Sequence, residues 1–337
     1  MNPRSLLSPF SSLYGLAARL DRSRKARRAR SFPIPVLSVG NIIAGGSGKT
    51  PVTIELVRRL SNEYDVIVLT RGYGRESSER LIWHAGEPVP PASQIGDEPG
   101  LIARSMHKGC VAVGADRSAA LQDVLASLSP SAKPLAVLDD GFQHHLLRRD
   151  VDIVIVDDRT ASERRLLPVG YLRERHQELA RADVLLATSD AAESCARKYQ
   201  RSDALVSRVS FVPGEIRHWK TGEVIAPKRS SALLVTGIAA PERVRKSAEH
   251  VGIAVSDSMQ FRDHHRYSER DIARILERYR AAGSDMILTT EKDAVKLESF
   301  PELEESLHVL TLHVSFRDPE AVCTYIQART ETYRREL

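Results

Sequence analysis

The chain has 337 residues, 42% of them hydrophobic, enough for large cores, and its length suggests two domains rather than one. Aromatic residues are only 5%, which disfavours a stacking platform for single-stranded nucleic acid, and Cys110, Cys195 and Cys323 lie too far apart for a disulfide framework or a zinc site. The net charge of +5 is local: residues 1–30 hold eight basic residues against one acid, a net +7, so the other 307 residues sum to −2.

That basic segment has a second property. Leu6, Leu7, Phe10, Leu13, Tyr14, Ala17 and Leu20 recur at three- and four-residue steps, the spacing of one helix face, and a run of arginines follows them. The apolar stretch falls short of the roughly 18 residues a spanning helix needs. Its charge follows the apolar part, whereas a secretory signal places charge first. An interfacial helix on an anionic membrane surface is expected, with a helix packed on its own domain as the alternative.

The next stretch, Val36 to Pro51, reads VLSVGNIIAGGSGKTP, an apolar strand entering a glycine-rich turn that ends in Gly-Lys-Thr. Glycines let backbone N–H groups close around phosphate oxygens, and the helix that follows points its positive end at the same anion. Gly45, Gly46, Ser47, Gly48, Lys49 and Thr50 are the expected nucleotide contacts, with Lys49 on the β- and γ-phosphates and Thr50 on magnesium. The usual pattern asks for glycine at position 43, where Ile43 stands.

From residue 34 onward short β-branched runs alternate with helical stretches. Strands are expected at 35–39, 65–70, 109–113, 135–138, 152–156 and 184–187. Their lack of strict alternation indicates burial on both faces, hence a parallel sheet covered by helices with ligands at the strands' carboxyl ends. After the second strand comes Arg71-Gly72-Tyr73-Gly74-Arg75, an anion loop or an ordinary turn. Gly96-Asp97-Glu98-Pro99 opens a helix, where the acids suit a cap. Asp139 and Asp140 end an apolar strand, as a Walker B carboxylate would, and Gly141-Phe142-Gln143-His144-His145 follows. Residues 206–212 and 215–219 flank Pro213-Gly214, an expected turn in a β-rich interdomain link. A smaller α/β unit then carries the cluster Phe261-Arg262-Asp263-His264-His265 and the segment Thr290-Glu291-Lys292-Asp293.

Taken together, these motifs resemble the tetraacyldisaccharide 4'-kinase (lipid A 4'-kinase) family. The carriers are Gly45–Pro51, Arg71–Gly74, Gly96–Pro99, Leu138–His144, Pro168-Val169-Gly170-Tyr171-Leu172-Arg173-Glu174, Phe261–His265 and Thr290–Lys296, in family order over about residues 30–300. Arg175 stands where the family pattern has proline. The resemblance implies transfer of the ATP γ-phosphate to the 4'-hydroxyl of a tetraacylated glucosamine disaccharide 1-phosphate. It also implies magnesium as cofactor, and work as a peripheral or monotopic protein on the cytoplasmic face of the bacterial inner membrane. The fold it implies is a P-loop core over 31–205, a β-rich linker over 206–225 and a smaller α/β lobe over 226–330, after the membrane-surface helix of 1–30. By the same resemblance the catalytic base is Asp97 with His264 as its partner; because one lies in each lobe, lobe closure is expected to assemble the pair. The metal acids are Asp139 and Asp140, joined by Glu174. Arg71, Tyr73, Gln143, His144 and Arg173 are expected at the lipid acceptor. No nucleic acid is expected, and a monomer is. The main rival is a P-loop GTPase acting as a switch or metallochaperone, but Thr290-Glu291-Lys292-Asp293 has its lysine one place late for guanine selection.

Overall fold

The computed structural model describes residues 8–226 and 230–335. Leu6 and Leu7 lie outside the described residues, as do the side chains of Phe10, Leu13 and Tyr14. Thirteen strands form one sheet. The first seven are β1 (Val36–Gly40), β2 (Asp65–Thr70), β3 (Leu81–His84), β4 (Cys110–Val113), β5 (Pro134–Asp139), β6 (Val151–Val156) and β7 (Val184–Ala187). They are followed by β8 (Leu205–His218), β9 (Val224–Ile225), β10 (Ser231–Thr236), β11 (Ala254–Gln260), β12 (Met286–Thr290) and β13 (Leu307–Phe316). Their order across the sheet is β11-β10-β12-β13-β8-β7-β6-β1-β5-β2-β4-β3, with β9 attached to β8.

The central strands are rich in Val, Ile and Leu, and β1 and β6 are buried along their whole length. Helices cover both faces, as a parallel sheet requires. β1 sits between β5 and β6, both parallel to it, so the loops after β1 and β5 emerge side by side. That places the glycine-rich loop next to Asp139 and Asp140.

The expected turn at Pro213-Gly214 is not there. β8 runs through it, pairing parallel with β7 at 205–208 and antiparallel with β13 from Val209 to His218. The only trace of the Pro-Gly pair is a register irregularity opposite Leu310 and Leu312. Proline is tolerated at such an irregularity because no ladder donor is needed there. One strand therefore joins both halves of the sheet.

Across that joint, the helix Asp97–Ser105 packs against the helix Glu291–Leu297. Gly100 sits at the contact, where an added Cβ would lie 3.1 Å from Val295 Cγ1 and 3.3 Å from Ile95 Cγ2. Beside it, Trp219 Nε1 donates to Glu298 at 2.9 Å, and Arg104 pairs with Glu298 while lying 5.2 Å over the Trp219 ring.

The N-terminal helix Ser8–Ala26 lies on the core by its polar side. Gly15, Ala18, Arg22 and Lys25 are half-buried, and Arg22 pairs with Glu178 and lies 3.8 Å from Glu174. Ala17 and Leu20, on the apolar face, point to solvent, with Leu20 55% exposed.

Gly100→Val should overpack the junction of the two helices, lowering stability in urea unfolding by about 1–3 kcal/mol. An unchanged unfolding midpoint would show that the helices are not in tight contact.

Candidate active site

The glycine-rich loop closes on the helix Lys49–Leu60, whose N-cap Gly48 has φ +83°, and Gly45 has φ +98°. Only glycine takes these angles freely. Gly48 also lies against the Phe211 ring of β8, leaving no space for a Cβ. Asn41 Nδ2 donates to Ser47 Oγ at 2.7 Å, and Gln143 Nε2 donates to the Asn41 carbonyl at 2.8 Å, tying the loop to the strand end. Ile43 is buried and bridges to Leu172, so the position that lacks glycine is used as a core contact. Arg159 donates to the Gly46 carbonyl at 2.6 Å, a loop contact that the sequence reading missed.

Two carboxylates end β5. Asp139 is buried and accepts from Thr53 Oγ1 at 2.9 Å. Burial, with Glu98 and Asp140 nearby, pushes its carboxyl up to about 7. Asp140 lies 3.6 Å from Lys49 Nζ and accepts from Arg173 Nη1 at 3.0 Å. Burial raises the Asp140 carboxyl, but Lys49 and Arg173 outweigh it and hold it below the usual range. Thr50 is buried at the start of the same helix. These oxygen donors are the ligand type a magnesium ion takes, and a cation beside Asp139 would favour its ionised form.

Glu174 departs from its expected place in the metal set. Its carboxylate is taken up by Arg181 and lies 3.8 Å from Arg22. Buried carboxylates need cations, and the nearest here come from the N-terminal helix and the turn at 176–181. Among the described residues, no three His, Cys, Asp or Glu side chains are grouped as a metal would need.

On the other side, Asp97 and His264 meet although they are 167 residues apart: His264 Nδ1 lies 2.9 Å from Asp97 Oδ2. Asp97 is buried, and its Oδ1 accepts from the Glu98 N–H at 2.9 Å. Burial raises the Asp97 carboxyl, but the His264 bond and the positive Lys292 and Lys296 outweigh it, so the net shift is down. The Asp97 bond raises His264 against burial and Lys292. Asp140 and His264 are the two described non-glycine residues with positive φ, +52° and +58°. Such backbone costs roughly 1–3 kcal/mol and gathers at functional sites. His265 pairs with Asp271 at 3.1 Å, which leaves His264 as the partner of Asp97.

The remaining expected residues are dispersed, with Gln143 and Arg173 lining a cavity beside the N-terminal helix and Tyr73 against His264. Tyr73 is 65% exposed and meets the His264 ring edge at 5.1 Å, and Arg71 is exposed beside it. Gln143 also accepts from Arg173 at 3.3 Å. Burial, with Arg117 and Arg149, pushes His144 down to about 4, so it is neutral. Arg117, whose guanidinium lies close enough to feel Arg71, Asp140 and Asp139, carried no signal in the sequence. The cavity beside the N-terminal helix has a volume of about 330 Å³ and is lined by Arg19, Arg22, Gln143, Arg173 and Glu174 among others.

Comparison with known proteins agrees over nearly the whole chain. The family model described as tetraacyldisaccharide-1-P 4'-kinase matches residues 3–331. The tetraacyldisaccharide 4'-kinase of Syntrophobacter fumaroxidans is 36% identical over 328 residues, covering 94% of this chain and 85% of that protein. That of Parabacteroides distasonis is 33% identical, covering 92% and 90%. A crystal structure of Aquifex aeolicus LpxK, an "apo" form in complex with ATP, superposes with a TM-score of 0.78 at 28% identity, covering 97% of this chain and 99% of that one.

Because Asp139 titrates near pH 7, cation binding there should release a proton, and affinity for magnesium–ATP should rise as pH climbs through about 7. Asp139→Asn should flatten that rise. Calorimetric titration in two buffers of different ionisation enthalpy reads it, and a pH-independent affinity in the wild type would contradict it.

Proposed function

We propose the reaction from one established premise: the chain belongs to the tetraacyldisaccharide-1-P 4'-kinase family. It is an ATP-dependent phosphotransferase acting on the 4'-hydroxyl of a tetraacyl glucosamine disaccharide 1-phosphate, a step of lipid A biosynthesis. The observation that carries the site assignment is the arrangement around Asp97. A buried carboxylate, oriented by His264, is followed in the chain by Glu98, which lies close enough to Asp139 to raise its carboxyl, and the adjoining Asp140 borders the glycine-rich loop through Lys49.

In that arrangement the sugar hydroxyl oxygen attacks the γ-phosphorus while Asp97 accepts its proton. The new P–O bond forms as the bond to the β–γ bridging oxygen breaks, and ADP departs with the bonding pair. Lys49, now paired with Asp140, and the backbone N–H groups from Gly45 to Thr50 neutralise charge on the phosphates. Thr50, Asp139 and Asp140 would hold magnesium, which supplies further charge neutralisation on the phosphoryl oxygens. The guanine-nucleotide alternative has no comparable support, since the superposing solved relative contains ATP.

The acceptor carries acyl chains, so the enzyme is placed at the membrane surface, on the cytoplasmic face of the inner membrane. The N-terminal helix supports this reading. Its polar side is docked by Arg22, while Ala17 and Leu20 remain outward. Exposed Tyr171 and Leu146 add apolar surface elsewhere on the chain. Among the described residues no helix is long and apolar enough to cross a membrane, so a surface-bound mode fits. The proposed site needs no group from a second copy of the chain.

Incubation with γ-labelled ATP and the disaccharide monophosphate in detergent micelles should yield a labelled bisphosphate lipid. Label appearing only as free phosphate would overturn the acceptor assignment. Deleting residues 1–20 should weaken co-sedimentation with anionic vesicles and leave ATP binding intact; unchanged co-sedimentation would refute the role given to that helix.

A further inference from the structure

The segment Thr290-Glu291-Lys292-Asp293 has no part in the reaction as drawn above, yet it is tightly built. Thr290 Oγ1 caps the helix by accepting from the Asp293 N–H at 3.1 Å. The fully buried Asp293 accepts from the Gly237 N–H at 2.8 Å and pairs with Lys296 at 2.8 Å. This base holds the first turn of the helix against the dyad. From it Lys292 Nζ lies 3.1 Å from Glu98 Oε1, 3.5 Å from Asp263 Oδ1 and 3.1 Å from His264 Nε2.

The last contact has a consequence for the ring. An ammonium group only donates hydrogen bonds, so His264 Nε2 must accept and carry no proton. The single ring proton is then on Nδ1, facing Asp97 Oδ2. Lys292 remains an ammonium here: burial pulls it down, but Glu98, Asp97 and Asp263 outweigh that and hold it above its ordinary value.

We propose that Lys292 is a positioning residue for phosphoryl transfer: by occupying Nε2 it reserves the neutral, Nδ1-protonated form of His264 for Asp97. The assignment rests on the reading of Asp97 and His264 as the base and its partner. A cationic ring would pair with Asp97 more strongly and make it a poorer acceptor for the hydroxyl proton. The groups that face His264 are Asp97 from the helix Asp97–Ser105, Asp263 from its own loop, the Tyr73 ring from the loop after β2, and Lys292. Of these only Lys292 opposes the cation, while the two carboxylates favour it. Lys292 also links Glu98 from one half of the sheet to Asp263 and His264 from the other. It therefore sets both the position and the charge of the ring.

The test has two arms on the full chain. In the wild type, ¹⁵N-histidine spectra should show His264 neutral with its proton on Nδ1 at mildly alkaline pH, the resonance being identified by its loss in His264→Gln. Lys292→Met should move the acidic limb of the kcat–pH profile to higher pH and lower kcat near neutrality on the order of tenfold. KM for ATP should be unchanged, activity should recover at high pH, and Lys292→Arg should restore part of the loss. A ring proton on Nε2 in the wild type, or a Lys292→Met profile lowered evenly with no shift, overturns the proposal. If Lys292→Met fails to fold, the wild-type spectrum still decides. The spectrum does not depend on the kinase chemistry, whereas an Asp97→Asn variant with undiminished kcat would sink the base assignment alone.

Discussion

The structure turns on one contact, the hydrogen bond between His264 Nδ1 and Asp97 Oδ2. Its two residues come from opposite halves of the chain, and each half must be held to a fraction of an ångström for the bond to persist. Three features secure that. β8 belongs to both halves of the sheet at once, so they share a rigid joint instead of a flexible link. Gly100 lets the helices that carry Asp97 and Lys292 approach closely. Lys292 and Arg104 then clamp across the junction through Glu98 and Glu298. The left-handed backbone at His264 is tolerated because its surroundings fix it from several sides.

The two carboxylates that end β5 are organised by unequal charge compensation. Asp140 is matched by Lys49 and Arg173, so it stays ionised. Asp139, with a single hydroxyl donor and two acids nearby, is not matched. That imbalance suits Asp139 to the cation-binding role proposed for it, as Lys49 beside Asp140 suits the proposed phosphate contact. Glu174 shows the opposite outcome. Surrounded by Arg181 and Arg22, it belongs to the seam that docks the N-terminal helix. The docking leaves Ala17 and Leu20 outward, because Arg22 is engaged with the core.

Much of this was legible in the sequence where the signal is local. The Val36–Pro51 stretch specifies strand, loop and helix through neighbouring residues, and β2 and β7 begin and end where their patterns do. β8 was not legible because Pro213-Gly214 is the local signature of a turn, and only pairing with β13 about a hundred residues later overrides it. β3 was missed because it is only four residues long and partly exposed, and β11 because its polar, half-exposed sequence lacks a buried-strand pattern. In the site, the positions of Asp97, Asp139 and His264 came from motif resemblance. The pairing of Glu174 with residues 22 and 181 depends on tertiary placement that no spacing encodes. Lys292 was visible within the Thr290–Lys296 motif and as a near miss of a guanine motif, but its role was not, since its partners lie 28 and 194 residues away.

The central claim is that Asp97 and His264 act as one unit. A double-mutant cycle on kcat tests it most directly, with Asp97→Ala, His264→Ala and the double variant assayed at saturating ATP and lipid. The account predicts that each single substitution acts mainly on kcat, and that the double variant is scarcely worse than the more damaging single one, as for residues that function together. Losses that multiply independently, or that fall only on KM, would contradict it.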